Sequence, residues 1–334
     1  MTENSAQHEG TTSAELRAHL MGTEAHVIVV GDDAAHLAGI AIARLQQLET
    51  RWSRFLPESE ISRLNRSPGV PVIVSPETFR LIDHALDAWH MTDGAFDPTI
   101  LGDLCAEGYD RSFELLDRSD GSQPSTMRLD RDERSSHTSA RPAAPDIQLD
   151  RIVGSVRLGP NTGFDPGGIG KGFAADLVVA ELLSSGARGV LVSVGGDLRA
   201  AGEAPEAGAW GVAITDPLDP EHVIGNLGIE AGAVASSWRT QRTWIGPDGV
   251  PHHHLIDPRT GRSAANGVAG VTVVAAQGWR AEILAKAAFL AGPVDGPALI
   301  AQSGTAGILV TDDGSMHPAG NIDAFLLVPA GVGR

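Results

Sequence analysis

A glycine-rich segment, FDPGGIGKG at residues 164–172, has the composition of a phosphate-binding loop. A P-loop requires G-x-x-x-x-G-K followed by Ser or Thr, so that its amides surround phosphate and its hydroxyl reaches magnesium. Gly170 and Lys171 match this pattern, but Asp165 stands at the first glycine position and Gly172 at the hydroxyl position. The segment is therefore not an ATP-binding loop of that kind, although its glycines still allow a ligand to approach the backbone.

A second segment with chemical potential is HLIDPRTG, at residues 254–261. It brings an imidazole, a carboxylate and a hydroxyl (His254, Asp257 and Thr260) within seven residues, which suits acid and base chemistry. The alternative interpretation is an ordinary turn, because Asp-Pro often begins turns. The three consecutive histidines at 252–254 also fit a solvated run or an adventitious metal binder.

Two other segments are weaker candidates. GAFDPTI, at residues 94–100, repeats the Asp-Pro pattern just past a predicted helix end, and turn chemistry explains it equally well. AEILAKAAFLAG places Glu282 and Lys286 four residues apart on one helix face, where an exposed salt bridge worth roughly 0.2 to 0.5 kcal/mol is the simplest interpretation. Its many alanines leave room for another group to pack against that face.

Alternating strands and helices are predicted to position these segments. A strand at 26–30, a helix at 34–56 and a short strand precede a helix that starts after an N-cap at Ser75 and closes near Gly94. A ligand-binding arrangement is predicted next, consisting of the strand SVRLG, the glycine-rich loop, a helix at 173–183 and the strand GVLVSV. Such an arrangement suits a ligand because amides at a helix start face anions. Further strands are predicted near residues 211–215, 228–236, 268–275, 307–310 and 324–328, with a helix at 279–290. This pattern predicts an α/β or α+β fold.

Composition limits the function classes. The formal charge of -17 disfavours nucleic acid or an anionic membrane surface as a partner. A single cysteine, Cys105, excludes a disulfide framework, and no apolar run approaches the length of a membrane span. The first twenty residues contain no apolar signal region, so we expect a cytoplasmic protein. We expect a disordered tail at 1–16 and one domain at 17–334 that carries a mobile insertion at about 118–146.

Eight segments together resemble one known family. From about Met21 to Pro329, apart from the insertion, their order matches the ApbE family of FAD:protein FMN transferases. The resemblance implies an α/β (α+β) fold of mixed sheets flanked by helices around a central FAD cleft. It also implies transfer of FMN from FAD onto a Ser or Thr hydroxyl of an acceptor flavoprotein or redox subunit, with release of AMP. The segments are LMGTEAHV, RWSRFLPESEISRLN, TDGAFDPTI, FDPGGIGKGFAAD, VSVGGDLRAAG, ASSW, HHHLIDPRTGRSA and AEILAKAAFLAGP.

The same resemblance implies roles for individual residues. His254 matches the base for the acceptor hydroxyl, Lys171 would neutralise phosphate charge, and Asp257 is the third catalytic candidate. Phe55 stands where the family more usually has tyrosine. The implied FAD contacts are Met21, Phe55, Ala95, Phe96, Asp97, Asp165, Lys171, Gly196, Ile256 and Thr260.

The metal-binding part of the resemblance is altered. Gly168 would offer a carbonyl to Mg²⁺, and the family's helix usually carries Asp followed four residues later by a hydroxyl. Here Glu282 replaces the Asp and Lys286 replaces the Thr. An ammonium has no lone pair and repels a dication, so metal affinity should fall, unless the ammonium takes over part of the cation's role. Two other functions remain open: hydrolysis of FAD to FMN and AMP, and FAD binding without catalysis.

Overall fold

The computed structural model describes residues 12–116, 145–206, 208–246 and 249–327. The strands are β1 Ser13–Leu20, β2 Thr23–Val30, β3 Val72–Ile73, β4 Ile147–Asp150, β5 Ser155–Leu158, β6 Gly189–Val194, β7 Asp197–Gly202, β8 Trp210–Thr215, β9 Val223–Ile229, β10 Gly232–Trp238, β11 Thr243–Ile245, β12 Pro251–His253, β13 Ile256–Asp257, β14 Arg262–Ser263, β15 Val268–Ala275, β16 Ala306–Thr311 and β17 Met316–Ala319. The helices are α1 Ala34–Trp52, α2 Glu60–Asn65, α3 Pro76–Met91, α4 Leu101–Ala106, α5 Phe113–Leu116, α6 Gly170–Ser184 and α7 Gly278–Gln302, with a 3₁₀ turn at Ile322–Ala324.

An eight-stranded antiparallel sheet forms the centre of the fold, in the order β1-β2-β6-β7-β10-β15-β16-β17. Every residue of β15 is buried, because both faces of the sheet are covered. Helices α1, α6 and α7 pack on one face. The hairpin β8–β9 shares a second apolar cluster with residues of the central strands, including Leu191, Val234 and Ile308. The predicted α/β (α+β) class is confirmed, and the antiparallel pairing makes it α+β.

Helices α6 and α7 cap each other at their N-termini. On α7, Glu282 Oε2 accepts a hydrogen bond from the Gly172 amide of α6 at 2.8 Å. On α6, Asp176 accepts from the amides of Gly278 and Trp279 at 2.8 and 3.0 Å. Each carboxylate thus accepts hydrogen bonds from N-terminal amides of the opposite helix, which have no partner within that helix. Each also faces the positive end of the opposite helix's dipole.

Glycine allows this close approach. A Cβ on Gly172 would collide with the backbone carbonyl of Gly278 and lie 2.8 Å from the Trp279 nitrogen. The two helix starts are therefore in backbone contact, which places the glycine-rich loop beside the first turns of α7.

Most predicted elements are present, with shifted ends. Ser75 caps α3 as predicted, since its side chain accepts from Thr78 N, and Pro76 begins the helix. Helix α1 ends at Trp52, before the predicted end at residue 56. The predicted strand at 324–328 is reduced in its described part to one antiparallel bridge between Leu326 and Leu227 of β9, because the 3₁₀ turn extends to Ala324.

Two predicted boundaries concern the parts of the chain outside the central fold. The tail predicted at 1–16 extends too far, since β1 begins at Ser13 and pairs with β2 along its whole length. Residues 1–11 lie outside the described residues. So does the predicted insertion at 118–146, apart from its last two residues.

Helix α7 is long and apolar enough to cross a membrane by length and composition alone. However, 61% of its most apolar window is buried inside the protein, and Gly292 interrupts the helix with φ 87°. These features are those of a central helix in a globular core.

We predict opposite effects of alanine at two helical glycines. Gly172→Ala should lower the free energy of unfolding by about 1 to 3 kcal/mol, because its methyl group collides with the α7 backbone. Gly39→Ala is the matched control: Gly39 lies exposed on α1 with no atom near its Cβ position, so alanine should stabilise by up to about 1 kcal/mol. Urea unfolding measures both, and equal effects would contradict the proposed helix contact.

Candidate active site

A cavity of about 400 Å³ opens beside the glycine-rich loop, within the range of small-molecule sites. Seven parts of the chain contribute residues to its wall. They are the β1–β2 turn, the end of α1, α4, α5, the glycine-rich loop, the segment around β11–β12, and α7. The lining residues are His19, Met21, Gly22, Glu49, Trp52, Ser53, Arg54, Phe55, Leu56, Leu104, Tyr109, Ser112, Phe113, Glu114, Asp165, Pro166, Gly167, Gly170, Lys171, Arg242, His254 and Lys286.

Met21 enters the cavity wall through a tight turn. Leu20 pairs with Thr23, so Met21 and Gly22 form a two-residue hairpin turn with φ of 56° and 65°. The Met21 amide donates to Glu49 Oε1 on α1 at 2.7 Å, which fixes the turn against the helix.

One side of the cavity is aromatic. The rings of Phe55 and Phe113 flank Tyr109, with centroids 5.9 and 6.4 Å away. Tyr109 also packs on Trp244, and Ile256 is buried in the same cluster. A planar ring system would find apolar and π surfaces here.

A buried ion pair supports the start of the glycine-rich loop. Arg54 Nε lies 3.0 Å from Asp165 Oδ1, and the two side chains are 7% and 6% exposed. The same guanidinium donates to the Tyr109 carbonyl at 2.9 Å and lies 4.3 Å from the centre of the Phe55 ring. Arg54 thereby joins the aromatic side of the cavity to the loop.

Lys171 stands at the first turn of α6 between two carboxylates. Its ammonium donates to Asp197, the residue that follows the β6–β7 turn, and lies 3.2 Å from Glu282 Oε1. Burial lowers the pKa of Lys171, whereas the charge of Glu282 raises it. The ammonium is therefore held at the cavity wall by charges from two other elements.

Lys286 enters the cavity one turn beyond Glu282 on α7. Its Nζ lies against Gly168, where a Cβ would overlap it, and the ring of Phe96 lies close behind. Burial lowers the pKa of Lys286, while Asp165 and Glu282 oppose that shift. The ammonium of Lys286 can therefore occupy this space only because Gly168 has no side chain.

Arg242 adds a third cationic group from the turn before β11. It has φ of 49°, and its guanidinium donates to the Tyr109 hydroxyl at 3.1 Å and to the Gly22 carbonyl at 3.2 Å. Within the described ranges it has no ion pair. Among the described residues, its charge is thus not compensated by a contacting carboxylate.

His254 completes the chemical groups of the cavity. Its imidazole has a pKa well below the usual value, first because of burial and then because Lys286 and Arg242 repel a second positive charge. Its Nδ1 is buried and has no hydrogen-bond partner among the described residues. The ring is therefore neutral near pH 7 and able to accept a proton from a bound group.

The structure brings some of the predicted site residues together. Two of the predicted catalytic residues, His254 and Lys171, line the cavity. Four of the predicted FAD contacts line it, namely Met21, Phe55, Asp165 and again Lys171. Arg54, Tyr109 and Arg242 were not predicted. The segment RWSRFLPESEISRLN contained Arg54, but only the fold shows that this arginine reaches Asp165.

Other predicted residues lie outside the lining. Asp257 is one of them: its carboxylate pairs with Arg259 at 2.8 Å in the turn that also contains Thr260, and its catalytic role stays a prediction. Phe96 and Ile256 are buried behind the wall. Asp97 accepts from Thr99 within its own turn, while Ala95 and Gly196 do not contribute to the lining either.

The residues present do not fit the magnesium site that the resemblance implies. Glu282 Oε2 is engaged by the Gly172 amide, and Oε1 lies beside Lys171. The ammonium of Lys286 occupies the space beside Gly168. In the part of the chain that the structure describes, no three His, Cys, Asp or Glu side chains converge as metal ligands.

These features define a site for an elongated anionic ligand with a planar ring, next to a neutral imidazole. The ApbE family model matches residues 21–309, and the chain belongs to the ApbE family. Similar proteins named FAD:protein FMN transferase occur in Salmonella typhimurium, with 30% identity over 79% of this chain and 76% of the relative, and in Vibrio cholerae, with 29% identity over 81% and 78%. Against a third, from Rhodobacter capsulatus, identity is 29% over 85% of this chain, which spans only 52% of that relative.

Solved structures show the same fold. The ApbE protein from Thermotoga maritima superposes with a TM-score of 0.81 and 27% identity, covering 95% of this chain and 100% of the other. The flavin transferase ApbE from Vibrio cholerae gives a TM-score of 0.77 at 24% identity, with coverage of 95% and 100%.

We predict that Arg54 is needed mainly to compensate Asp165. Arg54→Met leaves a buried carboxylate without its guanidinium and should lower the free energy of unfolding by about 3 to 5 kcal/mol. The nearby charge of Lys286 should keep the loss toward the lower value. The double variant Arg54→Met/Asp165→Asn should regain part of the loss, because no uncompensated charge remains. A double variant no more stable than Arg54→Met in urea unfolding would refute this explanation.

Proposed function

We propose that this protein transfers the FMN half of FAD to a Ser or Thr hydroxyl of a target protein and releases AMP. The observation that carries the proposal is the meeting of a neutral imidazole, His254, with the ammonium groups of Lys171 and Lys286 in one aromatic-lined cavity. Membership of the ApbE family and the relatives named FAD:protein FMN transferase support the same activity.

The cavity offers complementary surfaces to the two parts of FAD. Phe55, Tyr109 and Met21 provide apolar and aromatic contacts for a ring system. Lys171, Lys286 and Arg242 provide positive charge for the diphosphate in a chain whose net charge is -17. Local cations are necessary here, because the overall field of the protein repels a dianion.

The chemistry is an in-line displacement at phosphorus. The acceptor hydroxyl oxygen bonds to the phosphorus of the FMN half, while the bond from that phosphorus to the bridging oxygen breaks. The hydroxyl proton passes to the imidazole of His254, and AMP leaves with the bridging oxygen. Such reactions depend on alignment, a base and stabilisation of the charge on the phosphate oxygens. The cations in the cavity wall supply that stabilisation.

The partner is then a protein with an accessible Ser or Thr, such as a flavodoxin-like protein or a redox subunit. We further propose that the protein works in the cytoplasm. A chain with one cysteine, half-buried at Cys105, needs no oxidising compartment to fold.

The test is incubation of the full chain with FAD and an acceptor protein, followed by denaturing electrophoresis and measurement of AMP. Transfer gives a fluorescent acceptor band and AMP in equal amounts. Free FMN with AMP would instead establish hydrolysis, and intact bound FAD would establish a binding protein. Protein that retains no FAD at all would refute the proposal.

We predict that His254→Ala lowers the transfer rate by about 100-fold or more, the usual effect of losing a general base. FAD affinity should change by less than about threefold, because Lys171, Lys286 and Arg242 remain. His36→Ala, at an exposed position on α1, is the matched control and should keep the full rate. Equal losses of FAD binding and transfer in His254→Ala would assign His254 a structural role.

The low pKa of His254 predicts the pH dependence of transfer. A base with a lowered pKa stays unprotonated as pH falls through about 6.5, the usual histidine value. The kcat/KM for FAD should therefore stay constant down to that pH and decline only below it. Bound diphosphate raises the imidazole pKa, so the acid limb of kcat should lie at higher pH than that of kcat/KM. A limb of kcat/KM at or above pH 6.5 would contradict His254 as the base.

A further inference from the structure

The distribution of lysine in this chain is unusual. The sequence contains 25 basic residues of the Lys and Arg types, and all except Lys171 and Lys286 are arginine. Both lysines line the same cavity. An ammonium is a compact charge with three donors, whereas a guanidinium is a planar fork, so the two are not interchangeable beside a phosphate. The cavity therefore contains the chain's entire supply of compact cations.

Lys286 occupies a defined position rather than a solvated one. Its side chain is buried, and its Nζ fills the space left by the missing side chain of Gly168. The carboxylates of Asp165 and Glu282 interact favourably with its positive charge. The chain's own side chain thus places a cation beside the glycine-rich loop.

Glu282 already has partners on α6. Its Oε2 accepts the Gly172 amide, and its Oε1 lies 3.2 Å from Lys171 Nζ, without a hydrogen bond among the described residues. A divalent ion placed here would also lie close to two ammonium groups, which repel it. The same groups suit a diphosphate.

We propose that the ammonium of Lys286 does the work that a magnesium ion would do in this reaction, so that transfer proceeds without a metal. The inference rests on the proposed function. Lys286 contacts the diphosphate of FAD and stabilises the negative charge that develops on the departing AMP phosphate. Lys171 and Arg242 complete the positive charge that a dication would otherwise supply.

A preorganised donor aimed at developing charge is effective because it needs no rearrangement during the reaction. Lys286 meets this condition, since α7 is anchored to α6 by Glu282 and Asp176. Loss of one such donor typically lowers kcat by about 100- to 1,000-fold. We expect a loss of this size for Lys286→Met, whose side chain has similar length and no charge.

The decisive experiment measures AMP formation from FAD and acceptor in EDTA and in excess MgCl₂. The unmodified protein should differ by less than about twofold between the two conditions. Lys286→Met should be slow in both. Lys286→Thr should be slow in EDTA and accelerate at least about tenfold with magnesium, because threonine offers a hydroxyl ligand and removes the repelling charge.

A second measurement does not depend on turnover. Binding of Mn²⁺, used as a paramagnetic substitute for Mg²⁺, is followed by electron paramagnetic resonance on the whole protein with FAD present. The unmodified protein and Lys286→Met should bind Mn²⁺ weakly, and Lys286→Thr at least about tenfold more tightly. Lys286→Met serves as the control for loss of charge without gain of a ligand.

The outcomes separate the two proposals. Unmodified protein that is inactive in EDTA and restored by magnesium overturns the role of Lys286 but leaves the transferase function intact. Absence of AMP under both conditions counts against the transferase function, and the Mn²⁺ titration then decides on Lys286 alone. Tight Mn²⁺ binding by the unmodified protein, equal to that of Lys286→Thr, overturns the inference whatever the activity.

Discussion

The mutual capping of α6 and α7 is the constraint on which the site depends. Gly172 allows the two helix starts to touch, and Glu282 and Asp176 each satisfy amides of the opposite helix. Because these bonds are 2.8 to 3.0 Å long and involve carboxylates, the glycine-rich loop and the first turns of α7 form one unit. The positions of Lys171 and Lys286 follow from it, since one lysine lies on each helix within a turn of the contact.

Charge is organised around that unit. The protein is acidic overall, yet four Arg and Lys side chains line its cavity. They are Arg54, Lys171, Arg242 and Lys286. Arg54 and Lys171 have contacting carboxylates, whereas Arg242 contacts only neutral oxygens in the described part of the chain. Burial first, and then this concentration of positive charge, lowers the pKa of His254 and keeps its imidazole neutral. One arrangement thus serves both an anionic ligand and a base.

Sequence patterns predicted the local features well and the long-range contacts poorly. Ser75 with Pro76 identified the start of α3, and the glycine-rich loop was placed before a helix as observed. The residues of each signal lie close together in the sequence, so each signal can be recognised without knowledge of the fold. Arg54 and Asp165 are more than a hundred residues apart, and nothing local distinguishes that arginine from the others. The sequence likewise does not separate a catalytic Asp257 from a turn residue, because a carboxylate two residues from an arginine is also typical of a plain turn.

Replacement of a hydroxyl by Lys286 has a consequence for Glu282 as well as for the ligand. Under the proposal, Lys286 supplies the positive charge at this point. Glu282 then acts within the fold: its Oε2 caps α6, and its Oε1 lies 3.2 Å from Lys171 Nζ. Glu282 therefore has two functions: it holds α6 and α7 together, and it positions the ammonium of Lys171. A fixed ammonium also supplies its charge at any magnesium concentration, and the electrostatics of the cavity then depend on the chain alone.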